Sequence, residues 1–277
     1  MKIWLQSLAL LAALLLIMAL ASHWLLGIEL WLALLMGAGV ILFLGPLGSP
    51  QLMLRLHGAR PLRPGEAPAL EAMVLTLARR AGLAQVPRLY LLPSPRLNAL
   101  ALGTEKDGAL AVTLGLLDSL PPRECFAVLA HEMSHLAQGD VRLMTMADML
   151  SRMTALLANL AFLVVLLLFP FWLFGTLAIS PLALLLLMLA PLVSSLLVLA
   201  LSRTREFAAD EGAVRLTGDP EALILALERL ERIERPWWQG LWSRTQPSTL
   251  LLTHPPKAQR QARLARLPNQ PHLHWPH

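Results

Sequence analysis

Charged residues are scarce in this sequence. Asp, Glu, Lys and Arg together make up 15% of the 277 residues, whereas hydrophobic residues make up 56%. Ordinary soluble domains carry about 25% charged residues. The composition therefore argues against an ordinary soluble protein and makes membrane insertion the first class to consider.

Cysteine is nearly absent as well. With Cys125 as the single cysteine, the chain cannot form an internal disulfide bond. We expect Cys125 to be a small buried core residue rather than a metal ligand or a nucleophile. Aromatic residues make up only 6% of the chain, and no basic cluster is interleaved with them. Nucleic acid is therefore not an expected partner.

The sequence is rich in long uncharged apolar runs. Residues 153–202 contain no charged residue, and a run of this length accommodates two spans of about 20 residues each. Pro170, Gly175, Ser180 and Pro181 indicate a turn in its middle. Two further apolar runs lie near the N-terminus. The pattern predicts four transmembrane helices, near residues 3–26, 30–47, 154–173 and 180–201.

The distribution of basic residues predicts the orientation of these spans. Of the 23 lysines and arginines, one is Lys2, eleven lie between Arg55 and Arg152, and eleven lie between Arg203 and Arg266. None lies in the short connections within each pair of spans. By the positive-inside rule, both termini and both large polar segments face the cytoplasm.

The N-terminus allows a second interpretation. Lys2, the apolar run behind it and the segment Ala19-Leu20-Ala21 resemble a signal peptide with a cleavage site. The run is longer than the core of a usual signal peptide, and a second apolar run follows at once. These two features favour a retained membrane span.

The polar segments contain signals for both helices and strands. An amphipathic helix is predicted at residues 66–82, and a second helix from Pro122 towards the membrane near Arg152, with Gly139 and Asp140 as its first unfavourable step. Short apolar stretches bounded by turn residues predict strands at 86–94, 98–103 and 108–117. Further helices are predicted at 202–218, 220–235 and 256–266.

The motif HEMSH, residues 131–135, has the spacing of a zinc site. On a helix, residues four apart share a face, so the imidazoles of His131 and His135 can bind a single ion. Glu132 can then act as general base towards a water held by that ion. Because so short a pattern also occurs by chance, the hypothesis requires a third ligand.

A candidate for the third ligand follows the fourth predicted span. Glu206 and Asp210 are four residues apart and share a helix face. A carboxylate from a second helix is a usual third zinc ligand beside such a histidine pair. Asp210 could accept the free ring N–H of a ligand histidine. Ordinary salt bridges with Arg203 and Arg205 are an alternative explanation of the same residues.

Four segments follow one another along the chain: SPRLNALALG (94–103), AVLAHEMSHLAQGD (127–140), SRTREFAADEGAVRL (202–216) and THPPKAQRQARL (253–264). Together they resemble the HtpX family of integral-membrane zinc metalloproteases, which are relatives of the CAAX prenyl proteases. The order of spans and motifs also resembles that family, with two spans before the predicted strands and two between the HExxH helix and the helix of Glu206.

The resemblance implies roles for individual residues. His131, His135 and Glu206 would bind one zinc ion per chain, and Glu132 would be the catalytic base. Asp210 would orient a ligand histidine by accepting its free ring N–H.

Four further residues are candidates for substrate contacts. The resemblance places Asn98 and Ala99 on a strand edge that aligns the substrate backbone. His254 falls in the family's His-Pro-Pro segment, with Arg260 beyond it, and one of the two would approach the site and stabilise the oxyanion. A purely structural loop is the alternative for that segment.

The fold expected from this resemblance is a mainly α membrane protein. Four transmembrane helices would accompany a cytoplasmic α+β zincin-like metalloprotease domain with a small β-sheet. The predicted organisation comprises two N-terminal spans in 1–47, the first protease part in 48–152, a transmembrane hairpin in 153–202, the second protease part in 203–267 and a disordered tail in 268–277.

The function implied is that of a zinc metalloendopeptidase of the bacterial inner membrane. It would cleave the cytoplasmic loops of misfolded or damaged membrane proteins, so its partners would be polypeptide substrates and the lipid bilayer. Two alternatives stay open: a non-proteolytic zinc-binding membrane adaptor, and a protease that cleaves within the membrane. The charged residues on both sides of the HEMSH motif argue against the latter, because they place the motif outside the hydrocarbon.

Overall fold

The structure is a computed structural model of the chain, and it divides into two compact units, residues 1–47 with 143–204 and residues 48–142 with 205–277. It describes scattered positions between residues 5 and 20, residue 54, and residues 58–174, 181–234 and 257–270. Most of the first predicted span, the whole second span, the segment of Trp237, Trp238 and Trp242, and most of the C-terminal tail lie outside the described residues.

The described residues from 58 to 270 form four strands and seven helices. The strands are β1 (Arg60–Pro61), β2 (Arg88–Leu92), β3 (Ala99–Leu102) and β4 (Ala109–Thr113). The helices are α1 (Pro68–Arg80), α2 (Leu114–Ser119), α3 (Pro122–Ala137), α4 (Asp140–Leu173), α5 (Pro181–Thr217), α6 (Pro220–Glu234) and α7 (Lys257–Leu264).

The strands form one mixed sheet in the order β1-β2-β4-β3. β2 and β4 are parallel, whereas the two outer pairings are antiparallel. All five residues of β4 are buried, because both faces of this strand are covered. Leu110 and Val112 pack into the helical core, and Ala109 and Ala111 pack on the opposite face with Tyr90. β3 lies at one edge of the sheet.

Helix α3, which carries the HEMSH motif, lies at the centre of the unit formed by residues 48–142 and 205–277. It begins with Pro122 in its first turn and has Glu124 near its N-terminus, where a negative charge is favourable. Most of its residues are buried, since it packs against β3, α1 and α6. Ion pairs from Arg123 to Asp219 and from Arg229 to Glu124 join the start of α3 to the start and middle of α6.

Two sequence predictions about this unit are wrong in detail. The third predicted strand, 108–117, is a strand only as far as Thr113, because the Thr113 hydroxyl accepts a hydrogen bond from the Leu116 amide and caps α2. The helix predicted from Pro122 towards Arg152 is interrupted. Gly139 adopts a left-handed φ of 69°, which ends α3 and lets α4 start in a new direction.

The other unit contains most of the long apolar helices. Segments of α4 and α5, Asp140–Leu167 and Leu184–Thr217, are long and apolar enough to cross a membrane, judged by length and composition. Leu150 and Leu201 are fully buried in the core of this unit. Two of the four predicted spans are therefore helical within the described residues. Both helices run on beyond the predicted spans into the polar segments.

Helices α3 and α5 approach each other closely at Gly212. A Cβ atom placed on Gly212 would lie 2.9 Å from the Cβ of Ser134 and 3.0 Å from Nε2 of Gln138, and closer still to the Ser134 hydroxyl. Gln138 Nε2 in turn donates to Ser134 Oγ at 2.6 Å. A side chain at position 212 would therefore force the two helices apart.

We predict that Gly212→Ala lowers the stability of the protein despite the better helix propensity of alanine. Overpacking costs about 1–3 kcal/mol, against about 1 kcal/mol gained from propensity. Ser134→Gly/Gly212→Ala moves the Cβ from one helix to the other and should recover part of the loss, measured as melting temperatures in detergent. Ser134→Gly alone is the control. A Gly212→Ala variant as stable as the wild type would contradict the close approach.

Cys125 is buried in the helical core, which confirms the sequence prediction. Burial raises the pKa of its thiol to about 11. At pH 8 only about one thiol in a thousand is then ionised, compared with about a quarter for an ordinary cysteine.

We predict that iodoacetamide alkylates Cys125 slowly in the native protein, at a rate that rises with pH, and quickly after unfolding. Equal rates in both states would show that the thiol is accessible.

Candidate metal centre

Three potential ligand residues converge between α3 and α5. His131 and His135 lie one helical turn apart on α3, and their Nε2 atoms are 3.2 Å apart. Glu206, on α5, places Oε2 3.4 Å from His131 Nε2 and Oε1 3.5 Å from His135 Nε2. The structure therefore brings together the three residues that the sequence predicted as ligands.

These separations fit a tetrahedral zinc ion. Zinc binds imidazole nitrogens and carboxylate oxygens at about 2.0–2.2 Å, so two ligand atoms of one tetrahedron lie about 3.3–3.5 Å apart. The two Nε2 atoms are 3.2 Å apart, and each lies 3.4 or 3.5 Å from one of the two Glu206 oxygens, which is close to that value. Three protein ligands also leave a fourth position of the tetrahedron for water or substrate, as in catalytic zinc sites.

Both histidines are held from behind by carboxylates. His131 Nδ1 lies 3.0 Å from Asp210 Oδ1, and His135 Nδ1 lies 2.9 Å from Asp140 Oδ2. An ionised carboxylate only accepts hydrogen bonds, so each Nδ1 carries the proton and donates it. That tautomer leaves the lone pair of each Nε2 for a metal ion.

Each of these carboxylates is paired with a buried arginine. Arg260, on α7, donates to Asp210 from Nε at 2.8 Å and from Nη2 at 2.6 Å. Arg205, one residue before Glu206, forms an ion pair with Asp140. The arginine side chains are 6% and 3% exposed, so these pairs lie largely out of solvent.

The charges around the site favour a divalent cation. The site contains four carboxylates and two guanidinium groups, an excess of two negative charges when the histidines are neutral. One divalent ion balances this excess, whereas buried charge without a partner is costly. The groups are Glu132, Asp140, Glu206 and Asp210, with Arg205 and Arg260.

The carboxylates also change the acidity of the two imidazoles. Burial lowers the pKa of His135, but hydrogen bonds to Asp140 and Glu206 outweigh burial and raise this pKa to about 10. In His131, hydrogen bonds to Asp210 and Glu206 likewise outweigh burial, and its pKa lies above the usual value. A metal ion must displace a proton from such rings, so its binding weakens as the pH falls.

Glu132 is positioned by the sheet. Its Oε2 accepts a hydrogen bond of 3.0 Å from the backbone N–H of Ala101 in β3. The side chain is half-buried beside the two histidines. One carboxylate oxygen is thereby occupied, and the other, Oε1, is available for proton transfer.

The structure places the four candidates for substrate contacts differently. Asn98 directly precedes the edge strand β3 and is joined to β4 through Thr113, and Ala99 begins β3. Arg260 reaches the site, where its Nη1 lies 3.4 Å from Glu206 Oε2, but its Nε and Nη2 are engaged by Asp210. His254 lies outside the described residues.

The sequence interpretation missed Asp140 as part of the site. It treated the Gly139-Asp140 step only as the end of a helix. The signal was the glycine itself, because a left-handed residue there lets the chain turn and brings Asp140 back to His135. Arg205 was considered only as a partner in surface salt bridges, although it is 3% exposed and pairs with Asp140.

The chain is similar to several bacterial proteins named protease HtpX homolog. It is 41% identical over 240 residues to one from Acaryochloris marina, with 80% of each chain covered. It is 37% identical over 235 residues to one from Nostoc punctiforme, covering 82% of this chain and 79% of the relative. It is 38% identical over 239 residues to one from Acidiphilium cryptum, covering 78% and 79%.

The fold is similar to the crystal structure of Ste24p from S. mikatae, with a TM-score of 0.53 and 21% sequence identity. The match covers 95% of this chain, which spans 66% of the length of that protein. A profile of Peptidase family M48 matches residues 64–267, which include every residue of the candidate site described above. This family is one of metalloproteases that use a divalent ion, generally zinc. The chain belongs to peptidase family M48, and the resemblance to the HtpX proteases is confirmed.

Proposed function

We propose that this protein is a zinc metalloendopeptidase that hydrolyses peptide bonds, with His131, His135 and Glu206 as ligands of one zinc ion. The observation that carries the proposal is the convergence of three ligand residues, with one ligand atom from each lying within 4.8 Å of the others. Asp210 would orient His131 through its Nδ1 atom.

Glu132 is the proposed general base. A bound zinc ion supplies Lewis-acid chemistry, in which it makes water more acidic and polarises a carbonyl group. The Ala101 amide holds Oε2 of Glu132, so Oε1 takes the proton from the attacking water. The same carboxyl group then passes the proton to the leaving amine. Arg260 holds Asp210, and its Nη1 beside Glu206 can help to stabilise negative charge on the substrate oxygen.

The free edge of β3 is the proposed binding site for the substrate backbone. Asn98 accepts a hydrogen bond from the Thr113 amide, so alternate residues of β3 face β4. The backbone N–H and C=O groups of Ala99 and Ala101 accordingly point away from β4. The bond from Ala101 to Glu132 confirms this direction for its amide. An extended substrate could pair with Ala99 next to the catalytic carboxylate, with little dependence on its side chains.

The membrane helices support a role in degrading damaged membrane proteins. Four spans would place both termini and the active site on the cytoplasmic side of the bacterial inner membrane, in accordance with the positions of the basic residues. From there the site could reach the exposed cytoplasmic loops of misfolded membrane proteins. The alternative of cleavage within the membrane is disfavoured, because the two candidate spans among the described residues lie in α4 and α5 and not in α3.

The proposal is tested by comparing the wild type with Glu132→Gln. We predict that both purified proteins hold about one zinc ion per chain, while only the wild type cleaves an unfolded substrate such as casein. Loss of a general base alone lowers the rate by about 10²–10⁴-fold. Glu211→Gln, an exposed change on α5 outside the ligand set, is the matched control and should keep full activity.

Two results would contradict the proposal. If neither protein holds zinc after purification without chelators, the ligand assignment is wrong. If both hold zinc and the wild type cleaves nothing, the protein is better described as a zinc-binding adaptor.

The strand edge is tested by proline substitutions at neighbouring positions. Ala99→Pro removes an N–H that points away from β4, and edge strands tolerate proline at such positions. We predict a rise in KM of roughly tenfold, about the effect of one lost hydrogen bond, with zinc content and melting temperature retained. Leu100→Pro removes an N–H that faces β4 and should lower the melting temperature instead. Equal effects of the two changes would argue against substrate pairing at β3.

A further inference from the structure

Asp140, which accepts the hydrogen bond from His135, is more deeply buried than that contact alone requires. The side chain of Asp140 is 2% exposed, and that of its partner Arg205 is 3% exposed. Asp140 directs Oδ2 to His135 Nδ1 and Oδ1 to Arg205. The two oxygens of one carboxylate therefore have different partners on opposite sides.

The guanidinium of Arg205 is itself held in place. Its Nη2 donates to Gln138 Oε1 at 3.0 Å. Gln138 Nε2 donates in turn to Ser134 Oγ at 2.6 Å and to the carbonyl of Ala208 at 3.3 Å. These contacts tie Arg205 to both α3 and α5, so it approaches Asp140 from a fixed direction.

Stability alone explains this buried ion pair poorly. Removing two charges from water costs several kcal/mol per ion, and replacing a buried pair by apolar residues is often neutral or stabilising. The pair does have one geometric consequence at the site. With Oδ1 turned to Arg205, Oδ2 is presented to His135 as a hydrogen-bond acceptor.

We propose that Asp140 is a positioning residue for His135 and that Arg205 fixes the orientation of Asp140. Together they keep the proton of His135 on Nδ1 and its lone pair on Nε2, the atom that faces His131 and Glu206. This inference rests on the zinc-binding role proposed above for His135. Asp210 behind His131 is also paired with a buried arginine, Arg260, but there Oδ1 contacts both the histidine and the arginine.

The proposal makes a specific statement about Asp140→Asn. An asparagine has one oxygen acceptor and one NH2 donor in place of the two carboxylate oxygens. Arg205 only donates, so it attracts the amide oxygen and turns the NH2 group towards His135. Nδ1 of His135 must then accept a hydrogen bond, which places the ring proton on Nε2. The variant therefore holds His135 in the tautomer that cannot bind a metal through Nε2.

Removing Arg205 should release this constraint. In the double variant Asp140→Asn/Arg205→Met, the amide is free to turn its oxygen towards His135 and restore the correct tautomer. Arg205→Met alone should weaken zinc binding less than Asp140→Asn, because a carboxylate offers an oxygen to Nδ1 in either orientation. The second substitution is thus expected to improve zinc binding in the background of the first.

The experiment measures the zinc affinity of the full-length protein in detergent by competition with a chelator, together with the melting temperature of the zinc-free protein. We expect Asp140→Asn to weaken zinc binding by roughly 10–100-fold, the usual effect of losing such a partner. The double variant should bind more tightly than Asp140→Asn. Asp219→Asn is the matched control, since Asp219 is also a buried aspartate paired with an arginine, Arg123, but lies away from the metal site.

Several outcomes would overturn the inference while leaving the proposed function in place. If the wild type binds zinc and Asp140→Asn binds it equally well, Asp140 does not position His135. If the double variant binds no more tightly than Asp140→Asn, Arg205 does not set the orientation. If Asp140→Asn does not fold, the zinc affinity of the double variant is compared with that of Arg205→Met. A double variant that binds zinc about 100-fold more weakly than Arg205→Met would refute the proposal. A wild type without zinc would overturn the proposed function itself.

Discussion

Two hydrogen bonds on the outer side of the histidine rings underlie the metal site. Asp210 accepts from Nδ1 of His131, and Asp140 accepts from Nδ1 of His135. Helical spacing alone brings the two rings to one face of α3, but it does not decide which nitrogen carries the proton. The two carboxylates favour the tautomer with the proton on Nδ1, and as a result both Nε2 lone pairs face Glu206.

The packing of the helices brings the side chains of these contacts together. One helix, α5, contributes Arg205, Glu206 and Asp210, and it can lie against α3 only because Gly212 has no side chain. The same helix continues towards the N-terminus into an apolar segment long enough to cross a membrane. A candidate membrane span and a proposed zinc ligand are therefore parts of one continuous helix. Arg260 completes the set from α7 by holding Asp210.

The sequence predicted the parts of the site that depend on local spacing. His131 and His135 follow from the helical period, and the pairing of Glu206 with Asp210 follows from the same period on a second helix. The contacts that depend on tertiary structure were not predictable in this way. Asp140 reaches His135 only because Gly139 turns the chain, and the end of β4 at Thr113 depends on a side-chain cap. The strand β1 has two residues, too few to show a period.

X-ray absorption at the zinc edge would test the central claim most directly, using the purified full-length protein loaded with one equivalent of zinc. The account predicts a four-coordinate shell of nitrogen and oxygen at about 2.0–2.2 Å, with the outer-shell scattering of two imidazoles. It further predicts that Glu206→Gln changes this shell, whereas Glu211→Gln leaves it unaltered. A sulfur ligand at about 2.3 Å, or scattering from fewer than two imidazoles, would contradict the assignment of His131, His135 and Glu206 as the zinc ligands.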